Sequence, residues 1–201
     1  ACILAARFGC KRVLGIDIQE EFVAMAKRSI AMNGLADRVE VRQGDVRHPE
    51  ALCAPRSFDA AVFNPPYRRL KSGRMNPDAG KAMARHEITG SAGDFCTAAA
   101  HALRHGGRAR AIYPATRLVD LILRMRACRI EPKRTRLVHP DPGRVGQFAL
   151  LEGIKGGNEE LTVCPPLFIR AGSGGYSPEM AAIFHDLAAV PAVGGDRSPS
   201  S

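Results

Sequence analysis

Arg12-Val13-Leu14-Gly15-Ile16-Asp17 is a short apolar run closed by an acid. Such a run, without polar alternation, predicts a buried strand of a parallel sheet. Upstream, residues 1–9 carry a helical pattern that ends at Gly9. Downstream, Phe22, Met25, Ala26 and Ile30 make a helical stripe over residues 20–33, with Glu20 and Glu21 in its first turn and Asn33-Gly34 as its stop. Val39-Glu40-Val41-Arg42 alternates as a strand and runs into Gly44-Asp45. A further apolar run, Phe58–Phe63, is halted by Asn64-Pro65-Pro66-Tyr67. Strand, helix and strand at this spacing predict an α/β fold: a Rossmann-like, mostly parallel open sheet with helices on both faces and right-handed connections.

Residues 68–90 are polar and basic, with Gly73, Pro77 and Gly80, and predict a long loop carrying a helical turn or two near 80–86. A helix is expected over 91–105, a strand over 108–113 and a helix over 116–127. Two more strands, 133–139 and 147–154, flank a Pro/Gly-rich turn at 140–146 and should pair antiparallel at the sheet edge. A last helix is expected over 178–189. Residues 1–189 read as one domain, and 190–201, small and polar, as a disordered tail.

Composition narrows the classes. The 201 residues are 45% hydrophobic and 24% charged, which excludes a wholly disordered chain. No run approaches the roughly eighteen apolar residues of a membrane span. The six cysteines never form a CxxC pair, so neither zinc spacing nor a disulfide framework is present, and a reducing cytoplasm is expected. A net charge of +9 points to an anionic partner. The chain opens at Ala1 in what reads as mid-helix, so a missing N-terminal segment is expected.

Ligands of open α/β sheets bind beyond the carboxyl ends of the strands, where Asp17, Asp45 and Asn64 are expected. Around Asn64-Pro65-Pro66-Tyr67 the prolines remove N–H donors, so the backbone offers mainly carbonyl acceptors. The Asn64 amide adds another. Acceptors aimed at an exocyclic NH2 hold its hydrogens and draw its lone pair out of conjugation, which makes the nitrogen a nucleophile. Tyr67 supplies a flat face for an unstacked base. A rigid turn with no chemistry is the competing reading of the same four residues. An acid at the end of a second strand can accept both ribose hydroxyls of a nucleoside cofactor, a role that suits Asp17, and Asp45 can accept from an adenine amine. The glycine-rich turn that should precede Asp17 would fall just before Ala1.

With Gly15-Ile16-Asp17, Gly44-Asp45 and Asn64-Pro65-Pro66-Tyr67 in this order, the chain resembles the S-adenosylmethionine-dependent methyltransferases that methylate amino groups. Arg68-Arg69, Ala84-Arg85-His86-Glu87, Tyr113-Pro114, Leu137-Val138-His139-Pro140 and Pro165-Pro166-Leu167 narrow the resemblance to the bacterial tRNA (adenine-N6)-methyltransferases that act beside the anticodon of a valine tRNA. It covers most of residues 1–185; the N-terminal strand and glycine loop of that fold have no counterpart in it. The resemblance implies direct transfer of a methyl group to adenine N6 with no metal. It implies Asn64, Pro65, Pro66 and Tyr67 as catalytic residues and Asp17, Ile18, Asp45, Val46 and Asn64 as cofactor contacts. Arg68, Arg69, Lys71, Arg74, Arg85 and His86 become contacts to tRNA.

Residues 104–136 hold ten Lys or Arg against two acids. They read either as a solvated face or as a phosphate-gripping surface. The histidines at 48, 101, 105, 139 and 185 show no ligand spacing, and Gly172-Ser173-Gly174-Gly175-Tyr176 reads as a flexible surface loop. Two other functions stay open: methylation of a glutamine amide in a translation release factor, whose enzymes share Asn-Pro-Pro-Tyr, and a non-catalytic RNA-binding fragment.

Overall fold

The computed structural model describes residues 2–7, 9–67, 90–172 and 174–189, which fall into two compact units, 1–44 with 181–201 and 45–180. The expected loop over 68–89 and the tail at 190–201 lie outside the described residues.

The first unit contains α1 (Cys2–Arg7), β1 (Val13–Asp17), α2 (Glu20–Met32) and β2 (Val39–Gln43). β1 and β2 pair in parallel, Val13 opposite Val39 and Asp17 opposite Gln43. Alternation along β2 turns Val39 and Val41 inward, where they pack with Val23 and Ile30 of α2 and Ala6 of α1. The residues of β1 are half-buried rather than enclosed: among the described residues this strand pairs with β2 alone, in a two-stranded sheet.

The second unit contains α3 (Pro49–Leu52), β3 (Phe58–Phe63), α4 (Ala92–Ala102), β4 (Leu103–Pro114), a 3-10 turn (Ala115–Arg117), α5 (Leu118–Ala127), β5 (Ile130–His139), β6 (Phe148–Lys155), β7 (Thr162–Val163), β8 (Leu167–Phe168) and the first turn of α6 (Pro178–Ala189). Its sheet runs β3-β4-β6-β5-β7, with β8 also on β5. β3 is parallel to β4, and β7 and β8 are parallel to β5. The antiparallel strand is β6, joined to β5 by the short turn the sequence predicted and pairing with both β4 and β5. Both units therefore share the mixed α/β, mostly parallel design.

The core of the second unit lies on one face of this sheet. Ala109, Ala111 and Tyr113 of β4 and Leu151 of β6 meet Cys96 and Ala99 of α4 and Leu121 and Met125 of α5. Burial there pushes the Cys96 thiol up to about 12, so it stays a neutral packing group. On the opposite face, Arg108 and Arg110 donate to Glu152 at 2.9 and 2.6 Å. The first turn of α6 sits on that face too: Arg136 donates to both carboxylate oxygens of Glu179 at 2.6 Å and to the carbonyls of Pro165 and Pro166. Helices thus stand on both faces.

Three details depart from the sequence pattern. α4 stops at Ala102, three residues early, because Leu103 turns extended and is wholly buried in the core. β4 then carries Gly106 at φ +76°, where the register with β3 shifts between Phe58 and Ala60. Val62 is exposed although it belongs to an apolar run, since its neighbours Ala61 and Phe63 take the packed face. The two-residue strands β7 and β8 and the one-turn helix α3 were not anticipated.

Gly153 of β6 shows how closely α5 approaches the sheet. A Cβ there would lie 2.7 Å from Met125 Cε, 2.8 Å from Ile130 Cγ2 and 3.0 Å from the Glu131 carbonyl. Gly153→Val should lower unfolding stability by roughly 1–3 kcal/mol in urea titration, with an unchanged denaturant slope.

Candidate active site

Asn64 stands directly after β3, where Pro65 and Pro66 end the strand by denying it ladder donors. Pro65 is fully buried, Asn64 is exposed, and Tyr67 is 36% exposed. The Tyr67 hydroxyl donates to Asn64 Oδ1. An amide oxygen has two lone pairs, so one acceptor position remains after this bond, and the bond orients the amide. The Tyr67 ring meets Tyr113 edge-on, centroids 6.0 Å apart at 71°, and Phe148 at 5.8 Å and 51°. Tyr113 is fully buried, and burial pushes its phenol pKa up, with Arg117 pulling the other way.

Arg117, from the 3-10 turn, completes the arrangement. Its Nη1 donates to the Tyr67 carbonyl at 3.0 Å, and its Nη2 donates to Asp120 at 3.0 Å. The guanidinium carbon lies 5.1 Å from the Tyr113 ring centroid, a cation–π contact. Its buried Nε has no acceptor among the described residues. The sequence reading did not find Arg117 or Phe148 as parts of the site. Fifty residues separate Tyr67 from Arg117, and no local pattern joins them.

In the first unit, Asp17 ends β1. Its Oδ1 accepts the Gln19 N–H at 2.9 Å, and Oδ2 has no hydrogen-bond partner among the described residues. The Gly44 N–H donates to the Asp17 carbonyl, and Gln43 Nε2 donates to the Ile18 carbonyl at 3.2 Å. The end of β1 is thereby tied to the end of β2.

In the second unit, Asp45 is held by Arg47, whose Nε and Nη2 reach Oδ2 at 2.9 and 2.5 Å and whose N–H reaches Oδ1 at 2.9 Å. The Arg47 side-chain bond holds the Asp45 carboxyl below the usual range, so Asp45 is an anion near neutrality. Val46 follows against Gly90, whose Cβ position would lie 3.0 Å from Val46 Cγ2. Next comes the start of α4, with a capping box in which Ser91 Oγ accepts from Asp94 N–H and Asp94 accepts from Ser91 N–H at 2.6 Å.

The expected tRNA contacts Arg68, Arg69, Lys71, Arg74, Arg85 and His86 lie outside the described residues. Most arginines of the basic segment 104–136 are paired, some with the segment's own two acids and some with acids from elsewhere in the chain. Arg104 pairs with Asp59, Arg108 and Arg110 with Glu152, and Arg117 and Arg124 with Asp120. Arg126 pairs with Glu131 and Glu159, and Arg136 with Glu179. Among the described residues no group of three His, Cys, Asp or Glu is placed to hold a metal ion, and no helix is long and apolar enough to cross a membrane.

Residues 1–86 match the family model described as a methyltransferase domain. The fold is also that of a solved structure of a predicted O-methyltransferase from Agrobacterium tumefaciens, 23% identical, TM-score 0.67, covering 93% of this chain and 81% of that one. Fold and family match together define a class I methyltransferase. Two relatives from strains of Porphyromonas gingivalis, each a tRNA1(Val) (adenine(37)-N6)-methyltransferase, are 33% identical over 189 residues, which is 89% of this chain and 71% of theirs. The rRNA N(6)-adenosine-methyltransferase metl-5 of Caenorhabditis elegans is 35% identical over 63 residues, 31% of this chain and 29% of its own. The chain belongs to the tRNA1(Val) (adenine(37)-N6)-methyltransferase family and is an N-methyltransferase whose methyl donor is S-adenosylmethionine.

Arg117 touches the Asn64–Tyr67 turn from behind, so its effect should fall on the rate. Arg117→Lys keeps a cation near Asp120 but loses the two-pronged reach. Methyl-transfer kinetics should show kcat about tenfold lower, with donor affinity by calorimetry unchanged and the melting temperature within a few degrees.

Proposed function

We propose that this enzyme methylates the exocyclic N6 of an adenosine in tRNA, at the position beside the anticodon of a valine tRNA. The observation that carries this reading is the clamped Asn64–Tyr67 turn, an acceptor-rich loop with an oriented amide oxygen and a half-open aromatic ring beside it. The relatives act on an adenine amine by name. A cytoplasmic location comes with this reading, since the proposed substrate is tRNA.

The residues present fit the donor. Asp17 has a carboxylate oxygen left over after its own turn, which suits a ribose hydroxyl. Asp45 is anionic, and a carboxylate bound by one guanidinium keeps lone pairs for an adenine amine. Ile18 and Val46, next in sequence, supply apolar contact to the adenosine in this reading. When bound, S-adenosylmethionine supplies an electrophilic methyl group on a positively charged sulfur.

This chain's own contribution is alignment. Asn64 Oδ1 and the carbonyls of the Pro65–Pro66 segment accept the two N–H bonds of the substrate amine, which draws its lone pair out of conjugation with the ring. The Tyr67 ring carries the adenine by stacking. Arg117 and Tyr113 keep the turn from yielding when the base enters. Placement of this kind carries a large share of the rate in a transfer that forms no covalent enzyme intermediate.

Incubation with tritiated donor and an unmodified valine tRNA transcript tests the reading. Label is expected at N6 of one adenosine. Label on a release-factor glutamine with none on tRNA would overturn it. Asn64→Ala should lower kcat about 100-fold or more, with the KM for tRNA within threefold. Asp17→Ala should weaken donor binding about 10- to 100-fold in calorimetry.

A further inference from the structure

The turn between β5 and β6 and the loop after β8 share the carboxyl end of the sheet with Asn64. Phe148, which touches the Tyr67 ring, opens β6 and lies opposite Pro114 on one side and Val138 on the other. Val138 in turn lies opposite Leu167 of β8. Neighbouring strands are about 4.8 Å apart, so Leu167, just before the loop after β8, lies roughly two strand spacings from Phe148. The segments are also joined directly: Ile169 N–H donates to the His139 carbonyl and Arg170 N–H to the Pro140 carbonyl, each at 2.9 Å.

Described residues of both segments are braced by hydrogen bonds and carry exposed side chains. In the turn, Gln147 N–H donates to the Val138 carbonyl and Ala115 N–H to the Gln147 carbonyl, each at 2.9 Å. A His139 ring nitrogen lies 2.7 Å from the Arg144 carbonyl. On this braced turn Val145 is 85% exposed and the Arg144 side chain 76% exposed. The acid facing Arg144 is Asp141, at 4.0 Å. In the loop, Arg170 and Tyr176 pair across an antiparallel bridge, so their side chains share a face. Tyr176 is 58% exposed, and Arg170 has no acidic partner among the described residues. Ser177 closes the loop, donating from Oγ to the Phe168 carbonyl at 2.6 Å and accepting from Met180 N–H.

We propose that Arg144 and Val145 of the turn and Arg170 and Tyr176 of the loop form a seat for the unpaired RNA nucleotides that flank the reacting adenosine. The assignment rests on the tRNA reading above and adds to it where the strand runs. Unpaired nucleotides present phosphates and open base faces together, whereas a duplex hides its faces in the stack. Two weakly paired guanidiniums beside an exposed aromatic ring fit the first arrangement. The arginines of 104–136 do not compete for this role, because acids of the chain already hold most of them.

The test compares the whole chain with the double variant Arg144→Ala/Arg170→Ala and with Tyr176→Ala, using a tRNA transcript and labelled donor at several salt concentrations. The double variant should raise the KM for tRNA about tenfold with kcat within twofold. Its salt slope should fall by roughly 1.4, near 0.7 for each lost phosphate contact to a single strand. Tyr176→Ala should raise KM with no change in salt slope. Donor binding by calorimetry should be unchanged in both variants, which shows that they are folded. Arg126→Ala, a similarly basic residue in the last turn of α5, should leave KM unchanged. An active wild-type chain whose variants keep the KM and salt slope of the parent would overturn the seat. A wild-type chain that labels no tRNA would instead overturn the reading on which the seat rests.

Discussion

The guanidinium of Arg117 is the contact on which the Asn64–Tyr67 turn depends. A strand that ends in Asn-Pro-Pro has few donors of its own, so the turn cannot be held by strand pairing. It needs a donor from elsewhere, and Arg117 brings one to the Tyr67 carbonyl while resting on Tyr113 and pairing with Asp120. Tyr67, fixed from behind in this way and flanked by Phe148, can then spend its hydroxyl on orienting Asn64. Proline both leaves the turn rich in bare acceptors and creates the need for the clamp.

The clamp in turn depends on β4. This strand is the centre of the second unit's core, with alternate residues packed under α4 and α5. It ends at Pro114, and the 3-10 turn that carries Arg117 follows at once. The packing of Tyr113 and the placement of Arg117 are therefore set by one strand end. The same end is where Phe148 starts β6, so three walls around Tyr67 come from neighbouring strands of a single sheet. A sheet can hold such groups to a fraction of an ångström more readily than a loop can.

Charge shows why a sum over sequence says little about a surface. Residues 104–136 contain most of the excess positive charge, yet four of their nine arginines find carboxylates more than forty residues away, on β3, β6 and α6. A few exposed cations on short braced segments are better placed to meet phosphate than a longer run of paired ones. Exposed pairs of this kind add little stability; their effect is to remove net charge from the face that displays them.

The parallel strands, the acids at their ends and the Asn64–Tyr67 turn were legible because each depends on neighbours within a few residues. Apolar runs, helical stripes and proline act locally, and so they carried the α/β fold and the site's first residues. The early end of α4 was not legible, because Leu103 leaves the helix for a core assembled from distant elements. The two-residue strands β7 and β8 leave no period to detect. Asp45 could be picked out as a candidate from its position, but its pairing with Arg47 is a choice of rotamer that only the folded chain makes. What the amino-acid order determined alone was the kind of sheet and the nature of the acceptor turn. Which arginine holds that turn, and which cations remain exposed, was decided by tertiary contact, since both depend on groups brought together from far apart in the chain.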